Sequence, residues 1–114
     1  MNFGQPAPEL PVVNVRAAQE YYRDHFGFEV AWHNVEGRIG AVSRNETVIF
    51  FRETEGEIQA QTFWVFAEDV DETYASLVNQ GARIVDPITN KPWGLRQFTV
   101  ADLYGHRFHF HHDL

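Results

Sequence analysis

The 114-residue chain has no cysteine, one methionine and a single lysine, Lys91. The lack of cysteine excludes a disulfide scaffold, a thiolate zinc or iron–sulfur site and a thiol nucleophile. No apolar run approaches the length of a membrane span, and MNFGQPAPELP has no basic segment followed by an apolar one. Neither a transmembrane helix nor a secretory signal is expected, and the expected setting is cytoplasmic. Base is scarce as well. Nine Lys and Arg stand against 16 Asp and Glu, a net charge of −7. A nucleic-acid partner calls for a basic face, and none is visible. An acidic surface either draws cations or simply keeps a small protein in solution. Gly-rich phosphate loops are missing, and Ser43 and Ser76 sit in no nucleophile motif.

What is present is a 44% apolar and 15% aromatic chain, long enough to build one core without a staple. Residues 1–9 read as an arm. Pro11 to Val15 is a β-branched run and predicts a strand. Residues 16–26 carry Ala18, Tyr21, Tyr22, His25 and Phe26 on one helical face, with Gly27 placed as a left-handed cap. FEVAWHNV, GRIGAVSR and TVIFFRE predict three strands, turning at Glu36-Gly37 and Asn45-Glu46. After the polar break 54–60 the order returns. TFWVFA is a strand. Asp69 and Glu72 can cap a helix whose stripe is Val70, Tyr74, Leu77 and Val78, and Gly81 ends it. ARIVDP, ending at Pro87, then LRQFTVAD and RFHFHH make three more strands. The expectation is an α+β fold: a single domain over 1–114 made of two duplicated βαβββ modules, about 10–53 and 61–113. Curved mixed sheets would enclose a cleft, with the helices outside.

Strand alternation assigns faces. In the last strand Phe108 and Phe110 share one side, and Arg107, His109 and His111 the other. In TFWVFA, Phe63 and Val65 oppose Thr62, Trp64 and Phe66. Both sides are apolar, so a helix should cover one and either a partner subunit or a ligand the other. Trp93, in the loop Lys91-Pro92-Trp93-Gly94, is either a plug or dimer contact, or a stacking wall for a flat ligand.

Several segments resemble one family. LPVVNVRAAQEYYRDHFGF, GAVSRNETVIFF, TFWVFAEDVDETYASL and above all PWGLRQFTVADLYGHRFHF are similar to the vicinal oxygen chelate superfamily of glyoxalases, extradiol dioxygenases and bleomycin resistance proteins. The last segment resembles the drug-binding branch most. The resemblance implies a homodimer whose interfacial clefts sequester a flat, cationic compound of bleomycin type without chemistry. Trp93, Trp64 and Phe66 would be the stacking residues, Trp32 a substitute for a hairpin aromatic missing at 36–40, and Glu36 an acidic contribution at the mouth. Arg38, His109 and His111 complete the implied ligand-binding set. It also implies exchange of the N-terminal arm about Pro11, for which a frayed terminus is the plain alternative.

The superfamily's enzymes instead hold one divalent metal. The positions that match their ligands are Leu10, Thr62 and His109, of which only His109 can bind. The expectation is therefore a binding protein with no cofactor and no catalytic residue. The alternative is a metal-dependent lyase, isomerase or dioxygenase with His109 as a ligand.

Overall fold

The computed structural model describes residues 1–114. Its elements are β1 (Glu9–Val12), α1 (Val15–Phe26), β2 (Glu29–Asn34), β3 (Ile39–Arg44) and β4 (Thr47–Glu53), then β5 (Thr62–Phe66), α2 (Val70–Asn79), β6 (Arg83–Asn90), β7 (Leu95–Ala101) and β8 (Arg107–Asp113). The order βαβββ therefore occurs twice, in an α+β chain. Each run forms one mixed four-stranded sheet, β1-β4-β3-β2 and β5-β8-β7-β6. In each the first strand pairs in parallel with the last, and the other pairings are antiparallel. The chain divides into two compact units, Met1–Gln59 and Ala60–Leu114.

In the first unit the helix takes residues that alternation alone assigns to a strand. Asn14 is its N-cap, and the Asn14 side chain accepts the Ala17 N–H at 2.8 Å. Val15 thereby becomes the first helical residue, and β1 lies earlier than expected, at Glu9–Val12. Glu53, at the end of β4, accepts the Val15 N–H at 3.1 Å and pairs with Arg38 at 3.2 Å. The amide bond first, and Arg38 after it, hold the Glu53 carboxyl below its ordinary range. Gly27, at φ 70°, ends the helix in the left-handed region. The buried stripe of α1 is Val15, Ala18, Gln19, Tyr22 and Phe26. Tyr21 and His25, expected on it, are half-buried at its margin with their rings 4.6 Å apart.

That stripe packs on Leu10, Val12, Val42, Ile49 and Phe51, all essentially buried. Each contributes roughly 1.5–3 kcal/mol by leaving water. A bulge between Val30 and Trp32 breaks the β2–β3 register. Gln19 answers it: buried among apolar neighbours, its Nε2 donates to the Trp32 carbonyl at 2.8 Å and the Ala41 carbonyl at 3.1 Å. Gly40 makes the room, since a Cβ there would lie 2.5 Å from Val15 Cγ1 and 2.9 Å from Gln19 Nε2.

In the second unit Asp69 caps α2 by accepting the Glu72 N–H at 3.1 Å. Val70 and Leu77 are buried, and the Tyr74 ring lies 4.9 Å from that of Phe98. Val78, expected on the same stripe, is exposed. It stands about 80° around the helix from Val70, past the edge of the contact. β6 does not end at Pro87 but runs on to Asn90. It is an edge strand with register shifts on both sides of Asp86, where a proline's missing N–H leaves no ladder bond unmade. Pro11 also lies within an edge strand, β1, not ahead of it.

Two substitutions test this packing. Gln19→Leu should cost about 1–3 kcal/mol, because two carbonyls in a buried setting lose their donor. Gly40→Ala should cost a similar amount, about 1–3 kcal/mol, by overpacking. Urea denaturation followed by far-UV circular dichroism reads both, and a midpoint unchanged in either variant would contradict the assigned contact.

Candidate functional site

β8 is an inner strand of the second sheet, between β5 and β7. Its alternation sorts the sheet into two faces. Phe108 and Phe110 look toward α2 with Phe98, whose ring stacks on Phe110 at 5.2 Å, and Phe63 stacks on Phe108 at 5.5 Å. The other face carries two transverse rows. One runs Trp64, His109, Thr99 and Asp86; the other runs Phe66, His111, Gln97 and Thr89. The Trp64 ring lies 4.4 Å from His109 and 5.7 Å from His111, and Phe66 lies 6.1 Å from His111. Within the second unit these aromatics stand open: Trp64 is 55% exposed and Phe66 65%. An aromatic patch left open to this degree marks a contact surface.

Trp93 joins the same face. It sits in the Lys91–Gly94 turn between β6 and β7, closed by the Lys91 N–H to Leu95 carbonyl bond at 2.7 Å. Its indole N–H donates to Gln97 Oε1 at 2.9 Å, and the Lys91 ammonium lies 5.9 Å from the ring centre. Lys91 in turn reaches Asp86 at 2.7 Å. At 59% exposure Trp93 plugs no core within the chain, yet its edge is fixed.

The histidines are bound up in the fold. His106 is fully buried and accepts the Gln61 N–H at 3.0 Å. His112 accepts the Val70 N–H, the first amide of α2, at 3.1 Å. His109 Nδ1 shares a 2.5 Å hydrogen bond with the Thr99 hydroxyl. His111 Nδ1 is buried with no partner. Burial holds the His109 imidazole below its ordinary value of 6.5; Arg107, His111 and Lys91 act in the same direction, and Asp86 opposes them.

The remaining sequence candidates belong to the first unit. Trp32 lies on β2, half exposed, with its ring 5.6 Å from Phe50. Glu36 is exposed in the turn after β2. Arg38, at φ 57°, is engaged by Glu53 and by Glu55 at 3.6 Å. Leu10 is fully buried opposite Phe51, so the positions of β1 on the other face are Glu9 and Pro11, and Glu9 is paired with Arg52. No three His, Asp or Glu side chains converge anywhere in the chain, and this donor set does not fit a resident metal ion.

Four members of the two rows, Gln97, Thr99, Asp86 and Thr89, are absent from the sequence candidates. Gln97 and Thr99 are readable from alternation, since Phe98 and Val100 facing the helix leave them opposite. Asp86 is concealed by its two bulges.

A profile described as Glyoxalase: Glyoxalase/Bleomycin resistance protein/Dioxygenase superfamily matches residues 4–110. Comparison with curated proteins gives no significant match. Among solved structures, TioX from Micromonospora sp. ML1 is 29% identical, with TM-score 0.82, covering 97% of this chain and 100% of its own. A bleomycin-binding protein complexed with bleomycin aligns at 16% identity and TM-score 0.84, covering 98% of this chain and all of that one. The bleomycin-binding protein of Streptomyces verticillus, complexed with copper(II)-bleomycin, aligns at 23% identity and TM-score 0.79, over 96% of each chain.

The depressed His109 value gives the stability a pH dependence. Between that value and 6.5 the unfolded chain binds a proton that the folded chain does not. This contribution is complete above 6.5 and is lost as pH falls through the folded value. Thermal midpoints measured across this range should fall with acid, and His109→Gln should flatten the slope. An unchanged slope in His109→Gln would mean that the imidazole is not held neutral by burial.

Proposed function

The chain belongs to the glyoxalase/bleomycin resistance protein/dioxygenase superfamily, and on that footing we propose that it binds and sequesters a planar, cationic small molecule without transforming it. The observation that carries this reading is the open aromatic face of the second unit: Trp64, Phe66 and Trp93, each more than half exposed, around His109 and His111. Flat rings offset against aromatic walls gain about 0.5–1.5 kcal/mol per pair beyond area burial, and a cation adds more. The chain's net charge of −7 favours the approach of a cation. Neighbours crystallised with bleomycin share the fold and give the compound class to try first. The donor chemistry argues against a metal-dependent reaction, because His109 is the one candidate ligand on the matched strand positions and no group of three His, Asp or Glu side chains gathers around it.

A homodimer is part of the proposal. A second copy would close the aromatic face that a lone chain leaves open, and the ligand would lie in the resulting cleft. In this chain β1 pairs with its own β4. Arm exchange about Pro11 would carry the arm and the first residues of β1 onto the partner copy.

Tryptophan quenching with bleomycin and other flat cations tests the reading. Trp93→Ala and Trp64→Ala should each weaken binding by about ten- to a hundredfold, as loss of a packed aromatic anchor does, while their melting curves shift little. Sedimentation at micromolar concentration should give a dimer. Unaltered affinity in both variants, or a monomer that binds as tightly, would remove the aromatic face as the site.

A further inference from the structure

Strand alternation puts two carboxylates on the open face of the second unit, Asp113 at the end of β8 and Asp86 in the row of Trp64 and His109. Asp86 stands opposite Thr99 in the row that ends at Trp64. It is there because β6 shifts register twice, once before it and once after. Bulges re-aim side chains, and they concentrate beside binding sites. Within the row Asp86 is the charge that favours protonation of His109, so the two groups share one electrostatic environment. One oxygen of Asp86 accepts from Lys91; the other carries no hydrogen bond, and the side chain is 42% exposed.

Lys91 is unusual in its own right. It is the only lysine of the chain, its side chain is 15% exposed, and its ammonium sits between a carboxylate and the Trp93 ring. A carboxylate beside an aromatic face is what recognition of a cation requires. The protein's own ammonium already stands in that position.

We propose that Asp86 selects for positive charge at this site, and that Lys91 is a resident competitor which the ligand's cation displaces from Asp86 and Trp93. The inference rests on the planar-ligand reading above and adds to it the residue that distinguishes a cationic ring system from a neutral one of the same shape. It also predicts opposite outcomes for the two members of one ion pair. Removing Asp86 reduces discrimination; removing Lys91 increases it.

The test uses a matched pair of probes, 9-aminoacridine and acridine, at mildly alkaline pH, where the first is a cation and the second is neutral. Affinities come from tryptophan quenching on the full chain, with melting curves to check folding. The wild type should prefer 9-aminoacridine. Asp86→Asn should reduce that preference by about fivefold, the scale of a partly exposed charge contact, with acridine binding unchanged. Lys91→Gln should raise 9-aminoacridine affinity by a similar factor and leave acridine alone. A structural role for the pair would move both probes together and in the same direction in both variants. Equal binding of the two probes by the wild type, or a preference undiminished in Asp86→Asn, overturns the assignment alone. Should Asp86→Asn fail to fold, a Lys91→Gln preference no greater than the wild type's overturns it equally. If neither probe quenches the wild type, the planar-ligand reading falls and this inference with it.

Discussion

The two-sidedness of β8 is the constraint on which the second unit depends. A strand presents alternate residues to opposite faces, so the register that buries Phe108 beneath α2 also turns His109 and His111 outward beside Trp64 and Phe66. A slip of one residue would bury imidazoles against the helix and turn phenylalanines outward. The core is thus the positioning device of the candidate site. Phe98 stacked on Phe110, and Phe63 on Phe108, hold the register; the polar residues between them, Thr99 and Gln97, then fall where they can engage His109 and the Trp93 indole.

The two units solve one local problem with different chemistry. The first amide of each helix, Val15 in α1 and Val70 in α2, receives its acceptor from the far end of the unit's last strand. In the first unit the acceptor is the Glu53 carboxylate, already drawn toward the charged form by that amide and by Arg38. In the second it is Nδ1 of His112. A duplicated architecture has therefore kept the closure of helix onto last strand and changed the acceptor from a carboxylate oxygen to a ring nitrogen. The second unit leans on imidazole acceptors at His106 and His112 and on the Thr99–His109 bond, where the first uses a carboxylate. The same unit carries the aromatic face.

Most of the fold was legible because its signals are local. The caps at Asp69 and Gly27, the alternation in RFHFHH and TFWVFA, and the repeated element order all lie within a few residues of the structure they dictate. Trp64, Phe66, His109 and His111 could be read as neighbours for that reason. What escaped was non-local. Glu53 completes a helix 38 residues away, and no window contains both partners. Leu10 matches a ligand position through the resemblance alone, and the pairing of β1 with β4, which turns it inward opposite Phe51, is seen only in the sheet. Asp86 reads as the end of a strand before a proline, because edge placement and bulges cannot be seen without the neighbouring strand. Trp32, Glu36 and Arg38 belong to the first unit, and Arg38 is held by Glu53 and Glu55.

The parallel pairing of first strand with last bears on how the chain acquires its structure during synthesis. Glu9 pairs with Phe50 and Thr62 with Arg107, so each sheet stays open until its fourth strand has been made. Helix α1 cannot obtain its Glu53 acceptor sooner either. The first unit therefore becomes complete as residue 53 leaves the ribosome's exit tunnel, with no contribution required from the second unit's sheet. The second unit closes in the same way, on its own last strand β8. Until β8 has been made, β5 has no strand beside it, and Trp64 and Phe66 are exposed on an unpaired strand. The interval between translation of Phe66 and pairing with His111 is the chain's period of greatest exposure to misassociation.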